Sequence, residues 1–345
     1  MKKFIKITAI SAVAMTGLVA AAQPSLAADQ LEIRDFVGTI NWSNGPMSVE
    51  IEKNAGETEI SGRRSVVVDG GQNKIDGSDC QSAYGRYDIN WFGKRKQGNV
   101  GGYKNLEDLP VLNITLPEDA KLILGNSIVF TAGAPNIAEA DLALSYCGDV
   151  TLGDISGQMA LDSRGSADVD IGKSGQLVAS LKGSGDLAGG DSGDVLIKSH
   201  GSADIDLGDV KSLEAALHGS GDLSAGVVGG AAELSSQGSG DVELDEVNGR
   251  LSYASYGSGD LDVSAVTGAS LEVESYGSGD IDIGGGEVDE LIATVRGSAT
   301  IEFSGEAQTA NLRATGSGDI YIDRVAGAAE IKTSGSGDVE IDNRG

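Results

Sequence analysis

Positive charge is scarce in this chain: 25 lysines and arginines stand against 52 aspartates and glutamates, for a formal net charge of −27. Such a surface repels phosphate backbones and anionic lipid, which argues against nucleic acid as a partner and leaves cationic ligands, metal ions and polycationic surfaces. Histidine is scarcer still. The only two, His200 and His218, lie inside regular repeats, so the chain offers no plausible Ser/His/Asp arrangement for nucleophilic catalysis. Long apolar runs are confined to the N-terminus, where Lys2, Lys3 and Lys6 precede the run from Ile7 to Ala22, followed by Ser25-Leu26-Ala27. This pattern reads as a secretion signal over residues 1–27, cleaved after Ala27. Its removal takes the net charge to −30, because the leader holds three lysines and no acid. No later stretch is long and apolar enough for a membrane helix. Nor is there a tail of amphipathic strands ending in an aromatic residue, as an outer-membrane barrel needs. The residue directly after the cleavage site is Ala28, not cysteine, which argues against a lipid anchor. The expected location is extracytoplasmic: periplasmic, cell-surface or secreted.

Cysteine is limited to Cys80 and Cys147. In an oxidising compartment the two are a disulfide candidate, which would tie the N-terminal part to the first repeat and stabilise by about 4 kcal/mol in the chain-entropy model. Two unpaired, partly buried thiols are the alternative.

What the chain has in abundance is a phrase, Gly-Ser-Gly/Ala-Asp, opening at Gly165, Gly183, Gly201, Gly219, Gly238, Gly257, Gly277, Gly297, Gly316 and Gly335 with one Thr in place of Asp at Thr300. Successive copies are 18 to 20 residues apart, and Cys147-Gly148-Asp149 is a degenerate earlier copy. A fixed period of this length means stacked units that bury a core only together. Counting each first Gly as zero, positions +4 and +6 are apolar around an acid at +5, as in Ile281-Asp282-Ile283 and Ile301-Glu302-Phe303. Positions −6, −4 and −2 alternate likewise, as in Leu213/Ala215/Leu217. A third inward point falls at +9, held by Ile155, Val210, Val228, Val247, Val266 and Val325 and broken by Ser174, Gly286 and Glu306. Period-two alternation is a strand with one face inward. Two short strands and a bend in about 19 residues leave no room for a helix. The expected fold is all-β, a parallel β-helix with rungs about 4.8 Å apart. Position zero is always Gly, which suggests a left-handed backbone there. Position +2 admits Ala167, Ala203 and Ala299, which suggests a corner that requires only a small residue.

Residues 28–145 lack the phrase but still read as β, with strands expected at 36–42, 47–52, 65–69, 88–92, 111–116, 121–124 and 141–144. They are expected to form an irregular capping region ahead of the repeat domain at 146–345, with a separate small β domain as the alternative. Between Cys80 and Pro110 a loop gathers Tyr84, Tyr87, Trp91, Phe92, Lys94, Arg95, Lys96 and Tyr103 in a chain only 4% aromatic. Tyr87, Trp91, Lys94, Arg95 and Lys96 are candidate contacts for a carbohydrate or a protein; packing over the open end of the stack is the structural alternative.

The +3 aspartates would stack on one another, each neighbouring pair repelling by about 0.9 kcal/mol at water's dielectric. Something must compensate: a bond from each Asp to a backbone N–H of its own turn, or bound Ca2+ in the +3/+5 rows, with Asp260, Asp262, Asp280 and Asp282 as candidates. The nine-residue calcium-roll pattern is absent. At −1 an outward row runs Arg164, Lys182, His200, His218, Gln237, Tyr256, Tyr276 and Arg296; two exposed imidazoles without a third ligand make a poor zinc site. A carboxylate-dependent polysaccharide hydrolase or lyase is the enzymatic alternative. Even repetition of the acids fits structure better than catalysis.

The phrase, its interval and the signal together resemble the bacterial family of auto-transporter adhesin head GIN domains, over about residues 145–345. The segment Leu109-Pro110-Val111-Leu112-Asn113-Ile114-Thr115-Leu116-Pro117 is similar to the strand that leads into such repeats. The resemblance implies a parallel β-helix in a bacterial envelope, with adhesion as its suggested role and no catalytic residues. The translocator barrel that an auto-transporter needs is not present. The expectation is a non-catalytic structural or binding module with an envelope, polysaccharide or protein partner, no nucleic acid and no cofactor beyond calcium. End-to-end self-association is a further expectation.

Overall fold

The computed structural model describes residues 6–9, 29–51, 60–61, 65–70 and 109–344. The leader's other residues, the strand expected at 88–92, Cys80 and the aromatic-basic loop with Tyr87, Trp91, Lys94, Arg95 and Lys96 lie outside the described residues. All regular structure among the described residues is β, as the alternation requires. The chain forms a parallel β-solenoid in two compact units, Met1–Gly172 and Lys173–Gly345.

In the second unit, strands from successive coils pair in parallel with equivalent repeat positions opposite each other. Ile205, Leu223, Val242, Leu261, Ile281, Ile301, Ile320 and Val339 form one such column. Leu213, Ala232, Leu251, Leu271, Leu291 and Ala310 begin another. From Leu213 to Ala310 these inward residues are at most 6% exposed. Each buried Leu, Val or Ile contributes about 1.5–3 kcal/mol, and no coil could collect that energy without its neighbours. The +9 residues Val210, Val228, Val247, Val266 and Val325 are buried as the pattern demands. Where the pattern breaks, the interior is filled differently: Val288 and Ala307 take over near Gly286 and Glu306. Ser174 and Ser192 bond to each other at 2.8 Å.

The first unit is also made of coils, more regular than the sequence suggests. Gln30–Arg34 pairs in parallel with Ser65–Asp69 on one side and Lys121–Gly125 on the other. Val37–Asn44 lies likewise between Val111–Leu116 and Ile128–Ala132. The coil at 30–44 is thus enclosed by chain that follows it in sequence. Ser48–Ile51 adds an antiparallel strand to Val111–Leu116, and Lys6–Ala9, inside the segment read as a leader, pairs antiparallel with Val66–Asp69. From Lys121 the order becomes sequential, Lys121–Gly125 pairing with Glu139–Leu144 and that with Ile155–Ser163. Cys147 is buried beside Val37, Leu109 and Ile128 and is disulfide-bonded.

The corner glycines have two reasons: Gly316 and Gly335 have a positive φ, 121° and 127°, as the sequence suggests, while at most of the others the reason is a different one. At Gly257 the backbone does not need a positive φ; a Cβ there would lie 1.8 Å from the carbonyl oxygen of Gly238 in the preceding coil. The constraint is close approach between coils. At +2 a Cβ on Gly259 would fall 2.0 Å from Gly240 O, so this coil excludes even alanine, although Ala167, Ala203 and Ala299 hold the same position in others. Gly257→Val should therefore destabilise by about 3 kcal/mol or more through overpacking against backbone. Ala203→Gly should cost about 1 kcal/mol or less. Urea unfolding of the two variants checks the order, and equal costs would contradict it.

Candidate functional site

The corner of each coil in the second unit carries four outward rows, at −1, +1, +3 and +5, set by the period-two alternation on either side of the glycines. The +3 row is the most regular. Asp204, Asp222, Asp241, Asp260 and Asp280 each donate their backbone N–H to Oδ1 of the aspartate one coil earlier, at 2.8–3.0 Å. Thr300 N–H does the same to Asp280 at 2.7 Å, and Asp338 N–H to Asp319 at 2.8 Å. The carboxylate thus bonds the N–H of the following coil, not of its own turn as the sequence reading proposed.

Backbone direction explains this. The carbonyl of Asp260 accepts from Val242 N–H in the preceding coil, and its own N–H also points to that coil. Its peptide groups therefore offer no acceptor toward the next coil, and the side chain supplies one. Charge-assisted bonds of this kind are the strong ones, which offsets the repulsion within the row. Thr300 tests the point, since it has no carboxylate. There Asp319 N–H turns to the backbone carbonyl of Ala299 at 3.2 Å.

Outside this row, Glu243, Asp262, Asp282 and Glu302 lie in register at +5. Burial, then the charges of Asp282, Asp260 and Asp241, raise the Asp262 carboxyl above its ordinary range. Of the calcium candidates, Asp260 and Asp280 each have one oxygen engaged by the backbone, whereas Asp262 and Asp282 face solvent. No group of three or more His, Cys, Asp or Glu poised for a metal occurs among the described residues.

From His200 to Arg296 the −1 row is a column of side chains with planar ends. His200 and His218 stack with ring centroids 4.7 Å apart and 12° between planes. Tyr256 and Tyr276 stack at 4.8 Å and 9°, and the Arg296 guanidinium lies 4.9 Å from the Tyr276 centroid. Tyr276 Oη donates to Glu274 at 2.8 Å. Tyr256 is 54% exposed, the largest value for a bulky hydrophobic among the described residues. Sequence reasoning placed these residues in one row but did not see the contact surface they make: exposed tyrosine with arginine, beside the hydroxyls of Ser258, Ser278 and Ser298. Neither histidine bonds a serine or a carboxylate among the described residues.

A third feature is a pair of adjoining grooves of about 340 and 220 Å3 that share Leu196, Glu214 and Glu233. The two glutamates sit on adjacent coils in register. Asp194 in the same groove is held by Lys211 and Ser212, whose bonds keep its carboxyl below the ordinary range.

Fold and surface together define a class, a parallel β-solenoid repeat protein with an evenly repeated acidic exterior. Residues 232–345 match the family model described as putative auto-transporter adhesin, head GIN domain, so the family resemblance read from the repeats is shown over that part of the chain. A crystal structure of a putative adhesin from Bacteroides fragilis is similar at 13% identity and a TM-score of 0.26, covering 98% of this chain and 96% of that one. No curated protein matches.

Two outcomes follow from the rows. Asp260→Ala leaves the Asp280 N–H without its acceptor and should cost about 1–2 kcal/mol in urea unfolding, whereas Asp260→Asn keeps an acceptor and should cost less than half of that. Asp262 has a raised folded pKa, so the folded state holds its proton more tightly than the unfolded chain. Its contribution is present at low pH and is lost as pH rises through the folded value. Asp262→Asn should therefore flatten the fall in thermal midpoint as pH rises from the ordinary carboxylate value of 3.8 through the raised folded one at low salt; an unchanged slope would count against it.

Proposed function

We propose that this chain is a non-catalytic, extracytoplasmic binding module, adhesin-like in a bacterial envelope, which meets a polysaccharide or protein partner through the corner rows of its second unit. The observation that carries this reading is the exposed Tyr256–Tyr276–Arg296 column inside the region that matches the adhesin family model. Tyrosine and arginine are the residues most often responsible for binding energy at interfaces, and serine beside them adds adaptable hydrogen bonding. The regular acid rows serve the stacking of coils. They also keep a strongly negative exterior that favours cationic or neutral partners.

Cell fractionation with external protease treatment tests location, with the expected result that the protein is cleaved on intact cells. A binding screen of the purified chain against envelope polysaccharides and surface proteins tests the module. Tyr256→Ala combined with Arg296→Ala should weaken binding at least about tenfold, with stability changed by about 0.5 kcal/mol or less, as for surface residues. Wild-type binding by the double variant would remove the column from the site.

The groove at Glu214 and Glu233 is the observation that favours the enzymatic alternative, because paired carboxylates suffice for glycoside cleavage. Release of oligosaccharides by the wild type, and none by Glu214→Gln or Glu233→Gln, would replace the binding reading with that one. The calcium reading rests on Asp260, Asp262, Asp280 and Asp282, and a melting temperature unchanged by chelator would remove it.

A further inference from the structure

Three hydroxyls in the interior of the second unit have no hydrogen-bond partner: Tyr253 Oη, Ser255 Oγ and Ser275 Oγ. Their residues are 1%, 0% and 0% exposed. They are not scattered. The inward column two residues before each corner glycine runs Leu217, Ser236, Ser255, Ser275 and Val295, in register from coil to coil. Three consecutive serines thus stand between Leu217 and Val295, with Ser199 on the far side of Leu217, and Ser236 is itself 1% exposed. In the neighbouring column Tyr253 lies between Leu234 and Val273. Its phenol interacts with the hydroxyls of Ser255 and Ser236, without a hydrogen bond of good geometry to either.

A buried hydroxyl without a partner costs about 1–3 kcal/mol, and buried polar atoms in folded proteins are nearly always satisfied. Each of the three is smaller than the Leu217 and Val295 at the ends of the run, which favours a small occupant beside it. The occupant must donate and accept, carry no charge and fit between side chains. A cation is disfavoured because the nearest carboxylates, Asp241 and Asp260, face solvent and already accept backbone N–H groups. A dry cavity is disfavoured because the lining is polar.

We infer that the coils between Ser236 and Ser275 enclose an internal water site, in which ordered water bridges Tyr253 Oη to the Oγ atoms of Ser255 and Ser275. The site lies behind the candidate contact surface, because Ser255 and Ser275 immediately precede Tyr256 and Tyr276. It does not depend on the binding-module reading.

A crystal structure of the mature chain at a resolution that shows solvent is the direct test. Electron density for water within hydrogen-bond distance of Tyr253 Oη and of at least one of the two serines is expected. Its absence, with the hydroxyls bonded directly to one another, overturns the inference. In solution, Tyr253→Phe and Ser275→Ala should each lower the thermal midpoint by about 2–4 °C, since each strips the water of a partner. A midpoint unchanged or raised by Tyr253→Phe is what an unpartnered hydroxyl would give, and it too overturns the inference. Should Tyr253→Phe fail to fold, the wild-type density decides.

Discussion

The fold depends on how closely one coil's backbone can approach the next at the corner. A side chain at Gly257 would overlap the carbonyl of Gly238, and the same overlap recurs at Gly238 against Gly219 and at Gly277 against Gly257. With the side chain gone, the serine N–H of one coil reaches the glycine carbonyl of the coil before, as from Ser258 to Gly238 at 2.8 Å. The hydrogen-bond ladder thus runs through the bend instead of breaking there, so the bend leaves few polar groups unpaired. Register follows from this contact. Once the corners stack, the alternating residues on both sides must place their apolar members inward.

The aspartate completes what the glycines begin. Beyond the second glycine both peptide groups of the aspartate turn toward the preceding coil, and the carboxylate replaces the missing acceptor on the other side. This explains why a protein with so many acids can keep a row of them at rung spacing. The row is a set of charge-assisted bonds to backbone, and its repulsion is the smaller effect. It also explains why the acid at +3 is nearly invariant within the chain while +5 varies between Asp206, Ser224, Glu243 and Tyr321. The +5 side chains have no backbone duty.

Much of the fold was legible in the sequence because it is periodic: the interval gave the coil, and alternation gave the inward faces, including Val210, Val228 and Val266. The N-terminal part was legible as strands but not as topology. Nothing in Gln30–Arg34 or Val37–Asn44 reveals that both will be sandwiched between later segments, since pairing order depends on contacts distant in sequence. The candidate surface was half legible. The −1 row could be counted, but the stacking of Tyr256 on Tyr276 and the exposure that remains are properties of side-chain packing. The role assigned to the aspartate was wrong by one coil for a similar reason. The repeat pattern does not say whether a corner side chain serves its own turn or that of the next coil, and only peptide orientation separates the two.

Thr300 shows how the scheme tolerates change. Except at Thr300, where the Ala299 carbonyl takes the carboxylate's place, each coil of this row receives a bond from its successor through a carboxylate and gives one to its predecessor through an N–H, so such a unit carries a matched plug and socket. A gene segment encoding one such unit can be duplicated or excised in frame and leave both flanking partners satisfied. Repeat number can therefore change without altering the bonding of the turns that remain.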